Sequence, residues 1–498
     1  MSLRDDAVAI WNSGVAAVDS AQAVRRHVDI NDGCLILADV RIPLTGTQRI
    51  EVVGAGKAGA GMASGIESAL RNTNLEDRVS GWVNVPADCV HPRAVEKWDR
   101  HLTESANIIT SMIPGSEPVP FFYGLPLNQI HLHAARPAGL NEPTAEAVRG
   151  TEEILRRVRS LAKSDVCIVL LSGGASALLC CPTPGISLDD KLSVTRALAG
   201  AGAPIQELNL VRTQLSQVKG GKLAAACNAD TLVALIISDV IGDPLEVIGS
   251  GPTTPITSHA TNALRILRDR DLLNSIPPSV ISFLQQRATV PSISKTALPC
   301  TAVNYIVASN AIAIHAATKK AASLGYTVES RGSANAGEAA DEGRRLMNQL
   351  RAHRSEWDSA SQRGATDRQR RVCVLSGGEP TVNLKSDSDV RDLQSSPPRG
   401  GRNQELVLAA IAAHQDPAEW HNVALLSGGT DGEDGPTDAA GAIADESLLL
   451  KISASGLSPN DYLSRHDSYA FFDAVSGLFK TGPTHTNVMD LRVGLVVS

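Results

Sequence analysis

Short β-branched runs alternate with amphipathic stretches along most of the chain, the pattern of a sheet flanked by helices. The apolar runs predict strands at Arg49–Val53, Ser80–Val85, Val166–Leu171, Thr231–Ile237, Tyr305–Ala308, Tyr326–Ser330, Val372–Leu375 and Val423–Leu426. Three of them run into the same tripeptide, as Leu171-Ser172-Gly173-Gly174, Leu375-Ser376-Gly377-Gly378 and Leu426-Ser427-Gly428-Gly429. Glycine after a buried strand lets the backbone turn and lets a ligand approach without a Cβ in the way. The carboxyl ends of parallel strands are where open α/β sheets bind ligands. The expected fold class is therefore α/β, with largely parallel or mixed sheets. The pattern weakens around Ile276-Pro277-Pro278 and again at Pro291, Ser292, Ser294 and Pro299, which places a domain boundary near residue 298. Two polar stretches, Arg351 to Arg371 and Lys385 to Pro398, read as surface loops.

The chain has 498 residues, and on a prior of about 150 per domain it holds two or three domains. Lys and Arg number 46 against 53 Asp and Glu, a formal net charge of -7, which removes the electrostatic case for nucleic acid. With 3% aromatic residues, stacking platforms and membrane-interface belts are poorly supplied. The longest apolar run, Cys167 to Cys181, is interrupted by Ser172, Gly173, Gly174 and Ser176 and is too short to span a bilayer. Asp5 and Asp6 precede any apolar stretch, so the N-terminus reads as neither a secretory nor a transit peptide, and a cytoplasmic location is expected. The 8 cysteines form no C-x-x-C pair, and they are expected to be reduced, with no zinc site.

Several constellations carry chemistry. Gly54-Ala55-Gly56-Lys57-Ala58-Gly59 fits G-x-G-x-x-G between a strand and a helix, but a dinucleotide fingerprint also wants an acid at the end of the next strand, which here reads Asn84-Val85-Pro86. Lys57 puts a cation at a helix N-terminus that already favours anions; the plainer alternative is a glycine turn with an exposed lysine. On a predicted helix from Ile205 to Val218, Arg212, Ser216 and the following Lys219 form a stripe beside the apolar seam, either an anion-binding edge or a solvated face. Asp239 and Asp243 lie beyond the Thr231 strand and suit hydrated Mg²⁺ or an ordinary turn. Further on, Arg402-Asn403-Gln404-Glu405 opens a helix with a guanidinium suited to a phosphate or carboxylate. Asp431 sits in an acidic loop without calcium-loop spacing, so a second Mg²⁺-facing loop is the economical reading. The nucleophile elbow is incomplete, since Leu178 stands where its closing glycine would be, and no G-x-x-x-x-G-K-[ST] occurs, which excludes the usual P-loop.

Gly54-Ala55-Gly56-Lys57-Ala58, Ser172-Gly173-Gly174-Ala175-Ser176-Ala177-Leu178, Leu215-Ser216 with Lys219-Gly220-Gly221, Ser238-Asp239-Val240-Ile241-Gly242-Asp243-Pro244, Gly400-Gly401-Arg402-Asn403-Gln404-Glu405 and Ser427-Gly428-Gly429-Thr430-Asp431-Gly432 together resemble the class II glycerate kinases, from about residue 5 to 495. The resemblance implies ATP- and Mg²⁺-dependent phosphorylation of D-glycerate, usually on the 2-hydroxyl to give 2-phosphoglycerate. It also implies a Rossmann-like domain, 1–298, and a second α/β domain, 299–498, with its MOFRL region at about 371–495, around a central cleft. By that resemblance Lys57, Arg402, Asp239 and Asp431 are the candidate catalytic residues, and Asp239, Asp243 and Asp431 the candidate metal ligands. Substrate or nucleotide would be held by Gly54, Gly56, Ser172, Gly173, Gly174, Ser176, Arg212, Lys219, Gly377, Gly378, Asn403, Gln404, Gly428 and Gly429. The chain departs from the family where many members have a His-Pro turn, reading Ala135-Arg136-Pro137, and at His485, where relatives often have glycine. Two other functions stay open, an NAD(P)H-dependent hydroxypyruvate reductase and a non-catalytic sensor of phosphorylated sugar acids, as does the choice between monomer and homodimer.

Overall fold

The computed structural model describes residues 2–44, 48–90, 127–137, 140–289, 298–362, 370–383 and 399–498. It divides into a unit of Ser20–Val307 and a unit made of Met1–Asp19 with Ala308–Ser498. The first unit is built on a six-stranded sheet ordered Ile130–Arg136, Val79–Pro86, Ile50–Ala55, Val166–Leu171, Thr231–Ile237, Thr301–Ala308. Its registered pairs run parallel. Strands Ile50–Ala55 and Val166–Leu171 are buried at every position, which is why they read as unbroken apolar runs. Helices Leu188–Gly200, Ile205–Gln214, Ala260–Asp269 and Pro278–Ala288 close a separate core around Val194, Leu198, Val211, Leu267 and Leu284.

The second unit holds a mixed six-stranded sheet ordered Thr327–Ser330, Arg371–Gly378, Asp490–Val497, Val423–Gly429, Gly441–Asp445, Leu478–Phe479. Its first pair is parallel and the others antiparallel. Helix Leu3–Ala17 lies on one face of this sheet, with Ile10 and Trp11 in a core shared with Leu426 and Leu491. Asp6, buried, accepts from Tyr326 Oη at 2.8 Å and Arg371 Nη2 at 2.7 Å, which ties the helix to two strand edges. Among the described residues no helix is long and apolar enough to cross a membrane.

Four expectations change. The division is not at residue 298, because strand Thr301–Ala308 completes the first sheet, with Thr301 N bonded to Asp230 O at 2.8 Å, while the N-terminal helix packs on the second. From Arg351 to Gln362 the chain is not a loop but the continuation of helix Ala339–Gln362, anchored by buried Trp357; residues 363–369 and Lys385 to Pro398 lie outside the described residues. Ser376-Gly377-Gly378 and Ser427-Gly428-Gly429 are not turns but strand ends, paired with the antiparallel strand Asp490–Val497. The helix predicted to reach Val218 stops at Gln214, where Leu215 caps it and Ser216 bridges to Pro182.

Lys222 closes that helix. Its Nζ donates to Thr213 O and Ser216 O, each at 2.6 Å, two acceptors that a neutral amine can serve with its two N–H groups. Burial, with repulsion from Arg287 and Lys191, pushes its pKa down to about 7. Between that value and about 10.4, the unfolded chain binds a proton at this lysine that the folded chain does not, so its contribution to stability rises with pH. The difference in unfolding free energy between the wild type and Lys222→Met, read from denaturant titrations, is therefore expected to shift in favour of the wild type from pH 7 to 9, by at most about 1.4 kcal/mol per pH unit. A gap constant across that range contradicts the shifted lysine.

Candidate active site

In the first unit, Gly54 and Gly56 bring two strand ends together. Ala55 is registered against Leu171, and a Cβ on Gly54 would run into the Leu170 carbonyl, while one on Gly56, whose φ is +153°, would meet Ser172 Oγ. With no side chain between them the two loops bond directly, Lys57 N to Gly173 O at 2.8 Å and Ala58 N to Ser172 Oγ at 3.0 Å. Helix Gly59–Leu70 starts here, with Ala58 at its N-cap and no side-chain cap. Gly174 turns left-handed at φ +80°, and the place its Cβ would take lies 3.1 Å from Arg136 Nη2 and 3.5 Å from Lys57 Cγ. Lys57 and Arg136 thus both approach one glycine at the sheet's carboxyl edge.

Arg136 occupies the departure noted in the sequence. It is buried at the end of strand Ile130–Arg136 and donates to Asn141 Oδ1 at 3.1 Å; burial lowers its pKa while Asp88 opposes the shift. The neighbouring strand ends in Asn84, Val85 and Pro86, and Asn84 is spent on Leu178 O and Thr151 Oγ1. The strand's own last residues carry no carboxylate; the nearest acid after it among the described residues is Asp88, beyond Pro86 in the turn Ala87–Cys89, where it bears on Arg136, so the acid a dinucleotide fingerprint wants at the strand end itself is replaced by Asn84.

The cations expected on a helical stripe converge by another route. Arg212 Nη2 and Lys219 Nζ both donate to Ser176 O, at 3.3 Å and 3.0 Å. Lys219 also reaches Gly249 O at 3.3 Å and Ser250 Oγ at 3.4 Å. It is only 1% exposed, which removes the solvated-face reading, and burial together with Arg212 and Lys191 holds its pKa well below the usual lysine range. Ser176 Oγ bonds to Ser250 Oγ at 2.9 Å, and Ser250 Oγ donates to Asn209 Oδ1 at 3.0 Å. Lys191, Asn209, Ser250 and Arg136 were not singled out from the sequence. Asp239 and Asp243, beyond strand Thr231–Ile237, are half-buried, Asp243 with φ +54°. No group of three or more His, Cys, Asp or Glu suited to a metal ion occurs among the described residues.

In the second unit, Asp490 is registered against Gly378 on one side and Gly429 on the other, and Arg492 against Ser376 and Ser427. Both charged side chains are fully buried. Arg402, first residue of helix Arg402–Ala413, grips Asp490 with two bonds, Nε to Oδ2 at 2.7 Å and Nη2 to Oδ1 at 3.0 Å, and reaches Glu379 with Nη1 at 2.9 Å. The fork expected to take a substrate anion is engaged by a carboxylate of the chain. Arg492 donates to Ser376 Oγ at 3.1 Å and Gly378 O at 3.0 Å. Asp434 caps the helix, accepting from Asn403 N at 3.0 Å and Gln404 N at 2.8 Å, and Ser427 Oγ donates to Asn403 Oδ1 at 2.6 Å. Burial drives the Asp434 carboxyl up to about 7 against the pull of those N–H groups. Asn403 and Gln404, expected to face a ligand, spend their amides in this cap, while Asp431 Oδ1 accepts from Glu433 N at 3.2 Å.

Removing the fork would leave Asp490 buried with Arg492 as its remaining cation, 3.6 Å away. Arg402→Ala and Arg402→Lys are both expected to lower the melting temperature by roughly 5 °C or more, on about 2–3 kcal/mol lost and ~2–4 °C per kcal/mol for a unit of this size. A lysine variant that melts with the wild type would show that only charge is needed there.

Known proteins extend these observations. Residues 6–285 match the family model described as a domain of unknown function, DUF4147, and residues 372–490 match the MOFRL family. The chain is 34% identical to the glycerate kinase of Homo sapiens, over 99% of this chain and 93% of that protein. It is 31% identical to the glycerate 2-kinase of Pyrococcus horikoshii, over 100% of this chain and 98% of that one. A crystal structure of glycerate kinase from Thermotoga maritima superposes with a TM-score of 0.72 at 28% identity, covering 99% of each chain. Relatives named glycerate kinase match at this level across nearly the whole length, with both α/β units included, and the chain belongs to the glycerate kinase family.

Proposed function

We propose that the chain transfers the γ-phosphoryl group of ATP to the 2-hydroxyl of D-glycerate with Mg²⁺, releasing 2-phosphoglycerate and ADP, in the cytoplasm. The observation that carries this reading is the pairing of Lys57 and Arg136 around Gly174 at the carboxyl edge of a parallel sheet. Phosphoryl transfer needs little covalent help from a protein; it needs the reacting oxygens positioned and the charge on the transferred group neutralised. An ammonium and a guanidinium beside uncapped first-turn amides supply that neutralisation where glycines let a phosphate come close. The choice of the 2-hydroxyl rests on the glycerate 2-kinase of Pyrococcus horikoshii, which matches along the whole chain.

Asp239 and Asp431, each half-buried just past a strand end, are oxygen donors of the kind Mg²⁺ takes. One carboxylate apiece fits an ion that fills its remaining positions with water and substrate phosphates, and such an ion would supply charge neutralisation. One of the two aspartates accepts the proton of the glycerate hydroxyl. In this reading Arg402 is a positioning residue, since its bidentate bond fixes Asp490 between Gly378 and Gly429. Reduction of hydroxypyruvate loses ground at Asn84, where a nicotinamide dinucleotide would want a carboxylate.

Lys57 divides the two chemistries. In a dinucleotide site the pyrophosphate is held by backbone amides and a lysine is dispensable, whereas in a kinase the ammonium follows the charge that develops on the transferred group. Lys57→Ala is expected to lower kcat for ATP and D-glycerate by at least ~10²-fold, the scale of a lost electrostatic donor, with the melting temperature within about 2 °C of wild type. Turnover, melting and NADH oxidation with hydroxypyruvate are measured on one preparation. Activity within a few-fold of wild type removes Lys57 from the mechanism, and NADH-dependent turnover by the wild type overturns the kinase reading.

A further inference from the structure

Lys191, Arg212 and Lys219 gather positive charge inside the first unit without an acid to balance it. Lys219 and Lys191 are 1% and 5% exposed, and among the described residues none of the three forms an ion pair. Their partners are neutral: carbonyls and a hydroxyl for Lys219, the Cys180 thiol at 3.5 Å for Lys191, and Ser176 O with Asn209 Oδ1 for Arg212. Buried charges are ordinarily paired, because an isolated ion in the interior forfeits its hydration. A cluster of one sign, each member repelling the others, stores a demand for an anion that the chain itself does not meet.

The three groups have different capacities to meet a ligand. Lys219 spends all three ammonium N–H groups on Ser176 O, Gly249 O and Ser250 Oγ, so it contributes charge and not contact. Arg212 is half-buried, and its two bonds are long, 3.3 Å and 3.4 Å, which leaves three of five guanidinium N–H groups without an acceptor among the described residues. Asn209 holds the guanidinium from one side and the Ser250 hydroxyl from the other, so the fork's orientation is fixed by the chain Ser176, Ser250, Asn209. A planar fork with N–H groups to spare, sharing the Ser176 carbonyl with buried Lys219, matches the two oxygens of a carboxylate. A triphosphate spreads its charge along three groups and wants several cations, of which Lys57 and Arg136, both close to Gly174, are two.

The geometry points to Arg212 as the residue that binds the carboxylate of the acceptor, with Lys219 and Lys191 supplying the field that makes the site select short hydroxy acids over their neutral analogues. This assignment rests on the kinase reading given above and names the part of the acceptor that is recognised. It adds Lys191, Asn209 and Ser250 to the residues on which acceptor binding depends.

The test uses the full chain without nucleotide, titrated calorimetrically with D-glycerate and separately with D-glyceramide, the neutral amide. The wild type is expected to bind the acid at least about ten-fold tighter than the amide. Arg212→Ala is expected to weaken D-glycerate by about ten- to a hundred-fold and to bring the two ligands within about three-fold of each other, with the KM for ATP unchanged within about two-fold. Arg212→Lys, which keeps the charge without the fork, should restore part of the preference and serves as the reading if the alanine variant fails to fold. Retained discrimination in both variants, or a raised KM for ATP in place of weakened acid binding, overturns the assignment. A wild type that prefers the acid yet forms no phosphorylated product overturns the kinase reading alone. One that phosphorylates D-glycerate but binds acid and amide equally overturns the carboxylate site alone, and one that neither binds nor phosphorylates the acid overturns both.

Discussion

Where the strand ending in Gly54 and Ala55 runs beside the strand ending in Leu170 and Leu171, the backbones lie so close that a single methyl on Gly54 would strike the Leu170 carbonyl. The joining of the Lys57 and Gly173 loops follows from that approach. It lets Lys57 N bond Gly173 O and lets Ser172 Oγ take the Ala58 amide, so the two loops are locked to each other by one backbone bond and one serine hydroxyl. Lys57 and Arg136 are held at the sheet edge by a frame that tolerates no Cβ in its centre. The second unit meets the same demand differently. Its Ser-Gly-Gly segments stay extended and pair on both sides with one antiparallel strand, so that Asp490 and Arg492 project between them.

The two buried charge clusters, one in each unit, are opposite in kind. In the second, charge is balanced internally: Arg402 and Arg492 face Asp490, Glu379 holds the outer edge of Arg402, and Asp434 answers the amides at the helix start. Such a network fixes geometry more than it adds stability, since each buried ion has already given up its hydration. In the first, Lys191, Arg212 and Lys219 stand beside neutral partners, and the balance is left to whatever binds. An anionic substrate pair, glycerate with a nucleotide triphosphate, has the charge to satisfy such a unit.

How far the sequence foretold this depends on the period of each segment. Val166–Leu171 and Thr231–Ile237 were legible to the residue, because strands buried on both faces leave an uninterrupted apolar run. Asp490–Val497 was not singled out: its charged pair Asp490 and Arg492 and its Gly494 break the run, although the strand is buried throughout and lies at the middle of its sheet. The glycine segments next to Lys57 and Arg402 were legible, because each opens onto a helix start. Lys191 was not, since a lysine on the amphipathic helix Leu188–Gly200 looks like any solvent-facing lysine until tertiary packing buries it. Arg212 and Lys219 were correctly grouped for a helical reason that does not hold; what unites them is the carbonyl of Ser176. Arg402 was read as an open fork because its partner, Asp490, lies far along the chain.

The bond that the chain makes decides its activity. Purified protein with ATP, Mg²⁺ and D-glycerate, followed by proton-coupled phosphorus NMR, shows the product directly. A phosphate ester on the 2-hydroxyl couples to one carbon-bound proton and gives a doublet growing in step with ADP, which is the result predicted here. A triplet would place the phosphate on the terminal carbon and contradict the assigned position, and the absence of any new ester resonance would contradict phosphoryl transfer to glycerate itself.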